Sequence, residues 1–171
     1  MADQYIAVGT LVAWNALSAP EQAFYGGRHY LTWEAFNTWC LTLTPTDKHI
    51  GQLISEVTIS NSITTPTDLG FNNQELEWDL NGYTTNDNYD MTTLNINMSS
   101  FRIKNGIVKR QLAKSAWFRY FALTEVGLTP IFDKLEIDND SKIGAAIVYK
   151  GPIQLLTCII KNDTSVNYGA I

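Results

Sequence analysis

From His49 onward the chain alternates apolar and polar residues in short runs. His49–Ser60 sets Leu53, Val57 and Ile59 on one face, and Glu75–Leu80 sets Leu76, Trp78 and Leu80 against Glu75, Glu77 and Asp79. A period of two is that of a half-buried β-strand. Leu94, Ile96 and Met98 continue the pattern, after which Phe101 and Ile103 fall on the opposite parity. One extra residue at Ser99-Ser100, a β-bulge, would restore the phase. Asn105-Gly106 is the strongest hairpin signal in the chain, since a type I′ turn needs two residues with φ > 0. It predicts strands ending near Ile103 and beginning near Ile107. Three further strand-length runs lie between Leu112 and Ile160, separated by turn residues such as Thr129-Pro130 and Gly151-Pro152. In the first of them Trp117, Arg119, Phe121 and Leu123 share one face, and Phe118 and Tyr120 the other. A strand apolar on both faces is central to a layered fold or half buried by another subunit. The polar stretches Asn61–Asn73 and Asn81–Asp90 read as surface loops, and the tail Asn162–Ile171 as peripheral.

The first third differs. Tyr5–Leu17 is apolar, and its periodicity does not choose between a strand and a short helix. Ser18-Ala19-Pro20-Glu21 is a capping box that should start a helix, and Gly26-Gly27 should end it after about two turns. A second short helix is expected from Thr32, with Trp33, Phe36, Trp39 and Cys40 at helical spacing and Pro45 as its end. Many strands and no convincing helix after residue 45 predict a mainly β fold, an antiparallel β-sandwich or jelly roll with a short helical, aromatic N-terminal region. No internal repeat stands out. The expected division is an aromatic N-terminal region over 1–47, a candidate docking arm, and a β-sandwich domain over 48–171.

Composition narrows the function. The chain has 171 residues, of which only 17% are charged, with a net charge of −5 and a pI of about 4.9. That balance argues against nucleic acid, which calls for a basic stripe. No apolar run approaches the ~20 residues of a membrane span, and the N-terminus lacks the basic, apolar pattern of a secretion signal. Synthesis in a cytoplasm is the expectation. Cys40 and Cys158 each sit in an apolar stretch and read as buried thiols; a disulfide between them stays open. The N-x-S/T triplets at Asn97, Asn139 and Asn162 reflect an Asn/Thr-rich composition.

Motifs for catalysis are missing: no P-loop, dinucleotide fingerprint, H-E-x-x-H or G-x-S-x-G occurs. The two histidines, His29 and His49, have no local partner that would make them bases, and nothing local activates either thiol. Asp138-Asn139-Asp140 opens like a calcium loop, but Lys142 occupies the next alternate ligand position and the required Gly and Glu are missing. Glu75, Glu77 and Asp79 share a strand face, which reads as a solvated face rather than a sugar-cleaving pair. The expectation is a non-enzyme with no cofactor and no metal.

Ala116-Trp117-Phe118-Arg119-Tyr120-Phe121, Gly127-Leu128-Thr129-Pro130-Ile131-Phe132-Asp133 and Ile143-Gly144-Ala145-Ala146 together resemble a pattern in small β-rich phage virion proteins of the tail-fibre and capsid-surface kind. It covers under a third of the chain, and Gly151-Pro152 with Leu155–Ile160 departs from the pattern's usual Thr-rich last strand. The resemblance implies a virion structural protein made in the host cytoplasm, forming homo-oligomers and contacting other virion proteins. Large aromatics anchor interfaces, so Trp14, Tyr25, Tyr30, Trp33, Phe36, Trp39, Trp117 and Arg119 are the interface candidates. The alternative is a carbohydrate-binding β-sandwich that uses Tyr83, Asp87 and Tyr89 on a host-surface glycan. No nucleic acid or membrane partner is expected.

Overall fold

A computed structural model describes residues 3–40, 42, 48–60, 63–64, 75–88, 94–95, 100–111, 118–121, 131–138, 140, 147–150 and 153–162. In chain order the elements are β1 (Gln4–Val8), α1 (Leu11–Ala16), α2 (Ala19–Phe24), β2 (His29–Tyr30), α3 (Trp33–Cys40), β3 (Lys48–Leu53), β4 (Val57–Ile59) and β5 (Ile63–Thr64). There follow β6 (Glu75–Asp79), β7 (Thr84–Asp87), β8 (Leu94–Asn95), β9 (Ser100–Arg110), β10 (Phe118–Phe121) and β11 (Ile131–Asp138). The last are β12 (Ile147–Lys150), β13 (Gln154–Leu156) and β14 (Ile159–Lys161).

Every strand pairing among the described residues is parallel. This overturns the expected antiparallel sandwich or jelly roll and puts parallel strands together with helices, the broad α/β type. The described helices all precede Lys48, however. From there β3, β4 and β5 each pair with a counterpart in the next turn of chain, β6, β7 and β8, and those with β9 and β10 in turn. The chain winds as a parallel β-solenoid. One ladder runs β2-β1-β3-β6-β9-β11-β13, with β4, β7 and β14 alongside, and a second runs β5-β8-β10-β12.

The period-two pattern sorts residues correctly within this winding. Leu53, Val57, Ile59, Leu76, Trp78 and Leu80 all enter one core, joined by Ile103, Val108, Phe132, Leu135 and Ile137 from later turns. Corners do the work expected of hairpins. Asn105 takes the left-handed conformation (φ 59°) inside β9, and Gly106 follows without leaving the strand, so the predicted hairpin is a bend between two segments of one turn of the solenoid. One turn later Lys134 (φ 53°) lies level with Asn105, because Lys104 pairs with Asp133 and Gly106 with Leu135. A single left-handed residue redirects a strand while the ladder on either side continues. Gly106 is required for another reason: a Cβ there would stand 2.4 Å from Leu80 Cβ and 2.7 Å from the Tyr83 carbonyl oxygen.

The N-terminal third was legible element by element. Tyr5–Leu17 divides into β1 and α1. The Ser18 backbone N–H donates to Glu21 Oε2 at 2.7 Å, the predicted capping interaction, and α2 stops at Gly26 and Gly27, both at positive φ. The Ala35 N–H donates to Thr32 Oγ1 at the start of α3. This region is not separate from the β part: β1 pairs with β3 over five residues, a ladder that crosses the expected boundary at 47. The α3 helix lies against β3, β4 and β5, the first turn of the solenoid. Trp33 and Phe36 are fully buried there; Trp33 stacks on Trp78 at 4.4 Å and donates to Thr85 Oγ1 at 3.1 Å. Trp78 Nε1 donates to Asn37 Oδ1 at 3.1 Å. Both indole N–H groups are thus satisfied, as burial demands. Gly51 permits the approach, since a Cβ on it would meet both Phe36 and Trp33 at 2.7 Å. α3 is the cap that the first turn of a stacked core needs.

The loop 61–73 (beyond Ile63–Thr64), the bulge at Ser99 and the turn at Gly151-Pro152 lie outside the described residues, as does most of the Ala116–Ala146 resemblance.

Candidate functional site

Among the described residues, the outer face of the first ladder carries a dense cluster of charged side chains. Because side chains alternate, β6 sends Leu76 and Trp78 inward and Glu77 and Asp79 outward. Register places Ile50 and Arg102 beside Glu77, and Gln52 and Lys104 beside Asp79. The solvated acidic face expected here is corrected: Glu77 is 3% exposed and Asp79 6%. Charges so buried must be paired. Lys104 Nζ lies 2.5 Å from Glu77 Oε1 and 3.5 Å from Asp79 Oδ2, and Lys48 Nζ lies 3.4 Å from Glu77 Oε2 and 3.7 Å from Asp3. Asp79 also accepts from the Asn81 N–H (3.0 Å) and Asn105 Nδ2 (3.2 Å), so the left-handed corner residues brace it. Further along, Arg102 pairs with Asp133 and Lys161 with Glu136 at 2.7 Å. Burial by itself would lower the Lys104 pKa, but its hydrogen bond to Glu77 and the charges of Glu77 and Asp79 outweigh this and raise it. The lysine stays an ammonium, facing the Glu77 and Asp79 carboxylates.

The network runs to a cleft. Tyr25 Oη donates to Gln52 Oε1 at 2.8 Å, and Gln52 Nε2 donates to Asp79 Oδ2 at 3.4 Å. Burial, then the charge of Asp79, pushes the Tyr25 phenol up, keeping it a donor at neutral pH. Beside Tyr25, α2 and β1 enclose a cleft of about 250 Å³ lined by Asp3, Tyr5, Phe24, Tyr25 and Arg28. Phe24 lies 5.0 Å from Tyr5 and 5.0 Å from Tyr25, ring centre to ring centre.

The expected interface residues divide three ways. Trp33 and Phe36 belong to the chain's own core and Tyr25 is buried, whereas Trp14, Tyr30 and Trp39 are half-buried. Trp14 stacks on His29 at 5.2 Å, and Trp39 stacks on Tyr30 at 5.6 Å with the Arg28 guanidinium 5.0 Å over its ring. Trp117 lies outside the described residues, and Arg119 is placed in β10 by its backbone. Of the sugar-contact residues, Tyr83 is exposed, Asp87 is 3% exposed and faces inward with Thr85, and Tyr89 lies outside the described residues. Tyr83 and Asp87 do not share one exposed surface.

His29 Nε2 donates to the Gly9 carbonyl at 2.7 Å, and His49 is buried against Trp39. Cys40 and Cys158 are free thiols, both with pKa raised by burial. Asp138 and Asp140 form an Asx turn: Asp138 Oδ1 accepts from the Asp140 N–H at 2.9 Å and from Asn162 Nδ2 at 2.8 Å. No group of three metal-ligating side chains occurs among the described residues, and no described helix is long and apolar enough to cross a membrane.

Sequence reasoning did not connect Lys48, Gln52 and Lys104 with Glu77 and Asp79 because none of the three lies on β6: Lys48 and Gln52 belong to β3 and Lys104 to β9. Only the register, which the sequence does not print, brings them to Glu77 and Asp79. Compared with protein-family models, curated proteins and solved structures, the chain matches none.

Proposed function

We propose that the chain is a non-enzymatic structural protein of a virion, a tail, fibre or capsid-surface component that assembles with its own copies and with other particle proteins. The observation that carries this reading is the placement of large apolar side chains in solvent in the N-terminal third and on the last described turn. Val12 is 81% exposed, and Leu11 and Leu31 of the N-terminal third are exposed with it; Leu156 and Ile159 are exposed on the last described turn. Exposed apolar groups of this size are the stuff of interfaces. The paired, neutralised carboxylates support a scaffold rather than a catalyst, since each is occupied by a lysine or an amide.

Mass in solution, with and without Val12→Asp, tests the assembly. The expected result is an oligomer that Val12→Asp dissociates while the far-UV circular dichroism stays the same, together with the chain's recovery in purified particles. A monomer at every concentration that is also missing from particles overturns the reading.

A further inference from the structure

We infer that the cleft between β1 and α2 is a binding site for a single sugar ring, the terminal residue of a glycan. The inference is independent of the particle role: the cleft would serve whether or not the chain assembles.

Three properties of the cleft select this ligand class. Size comes first: about 250 Å³ is below the ~300 Å³ lower bound of drug-sized sites, which suits one ring rather than a nucleotide or a peptide. The second is its aromatic wall. Phe24 is 58% exposed although it touches Tyr5 and Tyr25, so the fold spends a large flat apolar side chain on a surface where a polar one would serve. A pyranose offers a matching face of C–H groups. Third is the rim, where one cation, Arg28, and one carboxylate, Asp3, offer planar donors and acceptors without net charge. A polyanion finds no excess of positive charge there, and a wholly apolar ligand would strip water from both charged groups without replacing its hydrogen bonds. Sugar hydroxyls, each donor and acceptor, pair with both.

The walls are also preorganised. Asp3 is tied to Lys48, Tyr25 to Gln52, and the Arg28 guanidinium is parked over Trp39. Residues held before binding lose less freedom on binding. The site is distinct from Tyr83 and β7, lying instead on elements fixed by the β1–β3 ladder.

The test is ¹H–¹⁵N NMR of the full chain titrated with methyl glycosides of glucose, galactose, mannose and N-acetylglucosamine. At least one sugar should give saturable shifts at the amides of Tyr5, Phe24 and Gly26, with a Kd on the order of millimolar. Phe24→Ala should weaken that binding about tenfold or more, and Arg28→Gln should weaken it as well. Should Phe24→Ala fail to fold, Phe24→Leu keeps apolar bulk against Tyr5 while removing the flat ring, and the same loss is expected. No shift with any of the sugars, shifts confined to residues away from the cleft, or undiminished affinity in folded Phe24 and Arg28 variants would overturn the site.

Discussion

The first turn of the solenoid and its last described turn close the core to different degrees. At the first turn, α3 inserts Trp33 and Phe36 over Gly51, and the inward side chains beneath it, Leu53, Ile59 and Trp78, are sealed. On the last described turn the inward side chains Ile153, Leu155, Cys158 and Ile160 pack on the core but stay partly exposed. A stacked core is closed only where something other than another turn lies on it. The aromatics of the first third are therefore divided between capping the chain's own core and facing outward, and a docking arm is too simple a description of them.

That contrast sets the scale of mutational effects. Trp33→Ala should cost about 3–5 kcal/mol by opening a cavity beside Trp78 and leaving Thr85 without its indole partner. Leu155→Ala, the same kind of truncation at the other end, should cost only about 1 kcal/mol because the side chain is partly solvated already. Equal losses in denaturant midpoints would erase the distinction between the ends. Gly106→Val should cost about 3 kcal/mol through collision with Leu80 and Tyr83, although the residue is not in the φ > 0 turn that the sequence predicts. Gly51→Ala should cost about 2 kcal/mol by lifting α3, and Trp fluorescence should shift as the Trp33–Trp78 stack opens. An unchanged spectrum and midpoint would show that α3 does not rest on β3.

These glycines show what was legible and what was not. Alternation revealed the strands and, within them, the inward set Leu53, Val57, Ile59, Leu76, Trp78 and Leu80. It said nothing of direction, because a half-buried strand reads the same in a parallel ladder as in an antiparallel one. Asn105-Gly106 then tipped the reading toward a hairpin, since a left-handed residue serves a solenoid corner as well as a type I′ turn. The repeat escaped notice because the turns are unequal. His49 to Leu76, Leu76 to Phe101, Ile103 to Phe132 and Phe132 to Leu155 are steps of 27, 25, 29 and 23 residues. Ser18 and Glu21, whose partners are local, gave a helix start that the structure reproduces. Glu77 and Asp79, whose cross-strand partners lie on the neighbouring strands β3 and β9, looked like a solvated face.

The smallest effect concerns the outer face. Lys104 has a raised pKa in the folded chain, so its contribution is complete below the ordinary lysine value of about 10.4 and is lost as pH rises through the folded value. Stability should fall in that alkaline window, and Lys104→Met should flatten this fall while lowering stability at neutral pH by leaving Glu77 with less compensation. A Lys104→Met profile parallel to that of the parent would remove Lys104 from the account.

The most direct measurement of the central claim, that α3 closes the solenoid's own core, is deletion of residues 1–47 followed by circular dichroism and sedimentation of the remainder. The account predicts that 48–171, stripped of β1 and of Trp33 and Phe36, loses its cooperative unfolding transition or aggregates. A soluble monomer with the parent's β signal and a sharp melting transition would contradict it and return the first third to the status of a detachable arm.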